Sequence, residues 1–266
     1  MSAAGTAENK GTLSGSWPAI AALEQIASLA RYHFGQTIYF QDQRADYWYR
    51  IVSGAARECV LAADGRRQIV DFLLPGDLFG FCRRGARGLA GEIIVEATTL
   101  ACYPRRRAEE LAESDPVVAR RVREMAFGAI ERLQARTVLL GRSSALERVS
   151  TFLLEMGARS EAAPGVAIPL PMTRYDIADY LAMAVETVSR ALTTLRRKGA
   201  ISLPGMRRVL IIDRNLLLRL GASMGCDVGL NPVSAGATNG GRDSLSLTHV
   251  NAGSRQPATI VHERKT

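Results

Sequence analysis

The sequence predicts an α+β fold in three parts: a roll of short antiparallel strands, one long helix, and a small helical unit closed by a hairpin. Three observations carry this. Between residues 17 and about 103, short aromatic and β-branched runs are separated by turn signals. From Asp115 the apolar residues recur at three- and four-residue steps, and beyond Thr173 two short amphipathic helices precede another strand pair. The bulk composition agrees: 47% hydrophobic and 23% charged residues over 266 positions suit a chain with buried cores and exclude a fibrous or wholly disordered one.

Residues 1–16, small, polar and without period, read as a loose arm. The strand region, 17–114, follows. Ile38-Tyr39-Phe40 and residues 47–52 are strand-like, and Ser53-Gly54 breaks the second run. Asp64-Gly65 accepts the positive φ of a tight primed turn, so 58–61 and 68–74 pair as a hairpin. Pro75-Gly76 supplies the next turn. With 93–95 and 98–103 this gives short antiparallel strands at near-regular spacing, as in a small barrel or roll.

The period then changes to that of a helix over 115–142. Pro116 after Asp115 suits a first helical position, and Ala119, Val122, Ala126, Ala129, Leu133 and Leu140 form a narrow apolar seam. Flanked by Arg120, Arg121, Arg123, Glu124, Glu131 and Arg132, the seam suits a contact between two copies of the chain, carried by Val122, Ala126, Ala129, Leu133 and Leu140. The same stripe also serves a helix lying on its own strands, and Arg136 interrupts it. Ser144 to Glu147 resembles a capping box that opens a further helix to about Arg159.

Residues 172–199, MTRYDIADYLAMAVETVSRALTTLRRKG, are the most informative stretch. Thr173 caps a first short helix, with Asp176 three residues on and Ile177 and Leu181 facing inward. Ala182-Met183-Ala184 is a tight link, although many such links hold Gly where Ala182 stands. From Val185 a second helix turns Val188, Leu192 and Leu195 to one side and Glu186, Ser189, Arg190, Thr193 and Arg197 to the other. Gly199 ends it, and the segments around Pro204-Gly205 read as a hairpin wing. The region 143–221 is thus a winged helix-turn-helix whose second helix fits the major groove of duplex DNA. The chain's net charge of +8 supports this. Arg190, Arg196, Arg197, Lys198, Arg207, Arg208 and Arg214 are opposed over that stretch by Asp213 alone.

These residues resemble the CRP/FNR superfamily of transcription regulators, in particular its FNR and FixK branch, over about residues 17–221. Val185-Glu186-Thr187-Val188-Ser189-Arg190 is similar to that branch's Val-Glu-x-x-Ser-Arg reading pattern. The resemblance implies a cyclic-nucleotide-binding-like roll, a dimerisation helix, a TTGA-like half-site repeated as an inverted pair, and RNA polymerase as a partner. The chemistry stands beside it. Arg190 has two donors for guanine O6 and N7, Glu186 an acceptor for a cytosine amino group, and Ser189 with Val185 meets a thymine edge. Thr173, Arg174, Thr187, Arg197, Arg207 and Arg208 are assigned to phosphates, which position without reading. The plain alternative is a surface Glu186–Arg190 ion pair, worth about 0.2–0.5 kcal/mol.

For an effector the sequence offers few anchors. Relatives that hold a cyclic nucleotide place Glu after Phe-Gly and an Arg further on; Phe81 follows Phe79-Gly80 here, and Gly91 stands at the second position. Arg83, Arg84 and Arg87 offer a substitute for that Arg, against the reading of a solvated basic loop, which is preferred. Residues 1–36 lack the cysteines of an iron–sulfur sensor, and of His33, His249 and His262 only the first lies in the roll. Cys59, Cys82, Cys102 and Cys226 are too dispersed for a zinc site and read as free thiols, with reversible oxidation at Cys82 as the alternative. No cofactor is expected. No run reaches the roughly 18 apolar residues of a membrane span, so the expected setting is the cytoplasm. Residues 222–266, rich in Gly, Ser, Asn and Thr, read as a disordered tail. Two rival functions are a ligand- or redox-gated regulator of the same fold and a cupin-like metalloenzyme, which needs clustered His and carboxylate ligands.

Overall fold

A computed structural model describes residues 21–62, 65–82, 85–141, 144–160 and 165–221. The expected arm and tail lie outside these residues, as do Asp64, Arg83, Arg84, Cys226, His249 and His262. Two antiparallel sheets make the roll. One has the order β1(Ser28–Tyr32), β8(Thr98–Pro104), β3(Tyr47–Ser53), β6(Leu78–Phe79); the other runs β2(Thr37–Tyr39), β7(Ala90–Ile93), β4(Ala56–Leu61), β5(Arg67–Leu73). Tyr39, Tyr49, Ile51, Ala56, Leu73, Phe79, Ile93 and Leu100 fill the space between them. Tyr49 stacks on both Tyr39 and Phe79 with ring centroids 5.6 Å apart. The β3–β4 turn needs glycine: Gly54 has φ +88°, and a Cβ there would lie 2.2 Å from Thr98 Oγ1.

Helices cover the outside. α1(Ala21–Ile26), α2(Arg105–Ser114) and the start of α3(Pro116–Leu140) pack Leu23, Ala108, Val118, Val122 and Met125 against Trp48, Leu78, Ala101 and Tyr103. The sequence reading missed α2, because only Ala108 of its ten residues is buried and charged side chains dominate the rest. α3 begins as expected, with the Asp115 carboxylate accepting from Val117 N at 2.8 Å and Pro116 in the first turn. Its inner face was only partly legible. Val122 lies against the roll, Leu139 is buried, and Arg136 donates to the Ile69 carbonyl at 2.6 Å. The exposed large apolar side chains beyond its first turn are Phe127, Ile130, Leu133 and Val138. Of the expected seam's large side chains, Leu133 is therefore on this outer stripe; Ala126, Ala129 and Leu140 are half-buried.

The third part comprises α4(Ala145–Arg159), β9(Ile168–Pro169), α5(Arg174–Tyr180), α6(Val185–Arg197), β10(Ile201–Gly205), β11(Arg208–Ile211) and α7(Arg214–Gly221), with sheet order β10-β11-β9. The Ser144–Glu147 capping box is present. This part is not a separate bead. Its core, including Phe152, Met156, Ile177, Tyr180 and Leu195, continues into Ala55, Ile69, Phe72 and Ile94 of the roll. Phe72 meets Tyr180 at 5.1 Å and Phe152 at 6.3 Å, so burial of this shared surface fixes the helices onto the β4–β5 hairpin.

Candidate nucleic-acid interface

α5 starts where the sequence placed it. Thr173 Oγ1 accepts from Asp176 N at 3.1 Å, and Asp176 Oδ2 receives the Thr173 amide at 2.8 Å and hydroxyl at 2.7 Å. The hydroxyl of Thr173, assigned from sequence to a phosphate, is thus engaged inside the cap. Ala182 takes the left-handed conformation with φ +52°, which lets the Met183 amide donate to the Ala178 carbonyl at 3.0 Å and turns the chain into α6. An L side chain there costs about 1 kcal/mol, the reason Gly is common in such links.

α6 is sharply two-sided. Val188, Ala191, Leu192 and Leu195 are buried, while Glu186, Arg190, Thr193, Arg196 and Arg197 are exposed. Val185, Thr187 and Ser189 are half-buried, and Val185 packs partly on the core beneath. Among the described residues no ion pair joins Glu186 to Arg190. Arg190 Nη2 makes one long contact, 3.5 Å to Thr187 Oγ1. Thr193 donates instead to the Ser189 carbonyl at 2.9 Å. The helix edge therefore offers an acceptor and a guanidinium with free capacity one turn apart. Arg174, Arg207 and Arg208 are exposed, the last two beside the wing tip, where Met206 is 96% exposed. Sequence reading did not single out Met206, which carries no periodic or charge signal.

The roll interior corrects one expectation. Arg87 is 4% exposed, not in a solvated loop. Its Nη1 donates to the Gly80 carbonyl at 2.9 Å and Nη2 to that of Tyr47 at 2.7 Å, with the guanidinium 3.9 Å from the Tyr39 ring centroid. Tyr39 in turn donates to Glu58, whose pKa burial pushes up to about 7; the Tyr39 hydrogen bond opposes that rise and Asp71 adds to it. A Cβ on Gly91 would lie 2.9 Å from the Tyr39 ring. With Phe81 and Gly91 at the anchor positions and Arg87 bound to the protein's own carbonyls, the residues present do not fit a cyclic nucleotide. His33, largely exposed, pairs with Glu96 at 2.6 Å. Cys82 Sγ donates to the Ala86 carbonyl, and Cys59, Cys82 and Cys102 are free thiols. Among the described residues no cluster of three His, Cys, Asp or Glu is placed to hold a metal, and no helix is long and apolar enough to cross a membrane.

Sequence reading also missed the polar side chains that join the roll to the helices. Arg57 and Arg67 reach Asp176 and Asp179 of α5, and Arg159 of α4 donates to Asp77 and to the Phe72 carbonyl, both at 2.6 Å. Charged residues inside strand-like runs were the only signal for them.

Known proteins match both parts. A cyclic nucleotide-binding domain model covers residues 29–115 and a Crp-like helix-turn-helix domain model covers residues 147–220. The chain is 43% identical over 204 residues to the nitrogen fixation regulation protein FixK of Azorhizobium caulinodans, covering 76% of this chain and 81% of that one. It is 36% identical to the transcriptional activator protein FnrL of Cereibacter sphaeroides, over 75% and 82% of the two chains. The solved structure of FixK2 from Bradyrhizobium japonicum superposes with a TM-score of 0.70 at 40% identity, covering 75% of this chain and 100% of that one. A roll of the cyclic-nucleotide-binding type, a long helix and a Crp-like helix-turn-helix, at this level of identity, place the chain in the CRP/FNR superfamily of DNA-binding transcription regulators, in its FixK-like branch.

Proposed function

We propose that this chain is a homodimeric transcription activator, not an enzyme. It reads an inverted TTGA-type repeat through α6 and contacts RNA polymerase in the cytoplasm, without a bound effector. One observation carries the reading: Glu186 and Arg190 stand exposed and unpaired with each other on the outer edge of a helix whose other side is a buried spine. Arg190 supplies the fork for guanine, Glu186 the acceptor for a cytosine amino group, and Ser189 with the exposed part of Val185 a thymine contact. Arg174, Thr187, Arg197, Arg207 and Arg208 supply phosphate contacts, and Thr173 serves the same surface by capping α5.

Dimerisation is supported by α3, where Phe127, Ile130, Leu133 and Val138 leave an apolar stripe open to water. Ala126 and Ala129 flank it and allow close approach, with Val122 and Leu140 toward its inner margin. Absence of an effector is supported by the committed Arg87 and the sealed contact of Tyr39 with Gly91. The activator role is supported by the names of the FixK and FnrL relatives.

Protein purified without additives is expected to shift a duplex carrying the inverted repeat, with affinity falling steeply as salt rises. Glu186→Ala and Arg190→Ala should each lower the preference for the repeat by about 1–3 kcal/mol while circular dichroism is unchanged. Undiminished preference in both variants overturns the assignment, and a monomer in sedimentation at micromolar concentration overturns the dimer.

A further inference from the structure

We infer that Arg57, a residue of the roll, is a positioning residue for DNA recognition: it fixes the start of α5, and through α5 the angle at which α6 is presented. This rests on α6 being the helix that reads DNA.

Arg57 lies within β4, facing Phe72 of β5 and Glu92 of β7 in register. Its Nε and Nη2 donate to Glu92 Oε2 at 2.9 and 2.6 Å, and Nη1 donates across the domain boundary to Asp176 Oδ1. Asp176, whose side chain is 6% exposed, uses its other oxygen for the Thr173 cap. A single carboxylate thus ties the first turn of α5 to a strand of the roll. The planar guanidinium bridges two carboxylates at fixed angles, which an ammonium does not reproduce. Arg67 stands behind it, 3.3 Å from Asp179 and 3.6 Å from both Glu92 and Asp176, and Gln68 Nε2 donates to the Asp179 carbonyl.

The far end of α5 leads into α6 through residues 181–184 alone, held by the Met183 amide on the Ala178 carbonyl. α6 packs on both α5 and α4, and a tilt of α5 reaches α6 through this link and their shared face. The apolar core shared by Phe72, Phe152 and Tyr180 holds the same boundary together, but burial is not directional and leaves rotation soft. The Arg57 fork is directional and grips the helix that carries α6.

The test compares wild type, Arg57→Lys, Arg57→Gln, Asp176→Asn and the double variant Arg57→Gln/Asp176→Asn, all at a temperature well below melting. Affinities are measured for the inverted repeat and for a scrambled duplex. Positioning predicts that Arg57→Gln lowers affinity for the repeat by about 5- to 150-fold with the scrambled duplex unaffected. It also predicts partial recovery in Arg57→Lys and a double variant no worse than the poorer single one. Wild type that discriminates while Arg57→Gln discriminates equally well overturns the inference alone. An equal loss on both duplexes reduces Arg57 to a structural residue and also overturns it. Wild type that shows no preference overturns the reading of α6 and the inference with it.

Discussion

Two arginines, Arg190 on α6 and Arg87 in the roll, show how neighbours divide one side chain between opposite tasks. Arg190 is exposed and, among the described residues, holds a single 3.5 Å contact, so its donors remain available to another molecule. Arg87 is buried, gives both terminal nitrogens to carbonyls and lies over the Tyr39 ring. The first is spare chemistry held on a rigid spine; the second uses its two terminal nitrogens in building the roll, with Nε buried and unpaired among the described residues. Each is unremarkable as a letter in the sequence, and the difference lies in what surrounds it.

The contrast is broken most directly at Arg87. Arg87→Ala leaves the buried Gly80 carbonyl and the part-buried Tyr47 carbonyl without this donor, beside a cavity, so unfolding in urea should show a loss of about 2–4 kcal/mol. A wild-type midpoint in that variant would mean that the guanidinium is not structural. Arg190→Ala should behave in the opposite way, with an unchanged midpoint and a loss of about 1–3 kcal/mol in discrimination between the repeat and a guanine-substituted repeat, read by competition binding. If the two variants exchanged phenotypes, Arg190 would be the structural arginine and Arg87 the binding one.

A pH titration sharpens the roll side. Glu58 has its pKa raised to about 7 in the folded chain by burial, so the native state holds its proton more tightly than the unfolded state does. Its contribution to stability is full below the ordinary carboxyl value and declines as pH rises through about 7. Asp71 and Glu155, also raised by burial, act in the same direction. Subtracting the profile of Glu58→Gln isolates the one group, and the wild type should lose about 1–2 kcal/mol relative to the variant between pH 5 and 8. Parallel profiles would show that Glu58 is solvated. The smallest effect belongs to the reading side: Ala182→Gly relieves a left-handed alanine and should raise the thermal midpoint by an amount corresponding to about 0.5 kcal/mol, with DNA preference retained.

Much of the α5–α6 surface was legible because its signals are local. The Thr173 cap needs Asp176 three residues on, and the two-sided α6 is written in the spacing of Val188, Leu192 and Leu195. The basic wing declares itself by composition. The rest was not legible, and for a common reason. α2 hides because its apolar face is short and made of small residues, Ala108 and Ala112 around Leu111, among six charged side chains. The α3 seam pointed between two faces: Val122, Arg136 and Leu139 turn to the chain's own body, whereas Phe127, Ile130, Leu133 and Val138 turn away. A repeat of three and four residues identifies a helix without saying which stripe meets which partner. Arg57 and Asp176 are 119 residues apart, a pairing no window of sequence contains.

Taken alone, the sequence determined the three-part order, the capped helices, the turn at Ala182 and the residue types on the edge of α6. Each follows from interactions among residues a few positions apart, where backbone geometry makes spacing equivalent to direction. Tertiary structure alone decided that Arg87 is interior, that Glu58 titrates near neutrality, and that the roll grips α5 through Arg57. Those properties come from burial and from partners distant along the chain. The energy of a charge depends on the solvent removed from it and on the groups brought beside it, and both are set only when the sheets and helices close on one another.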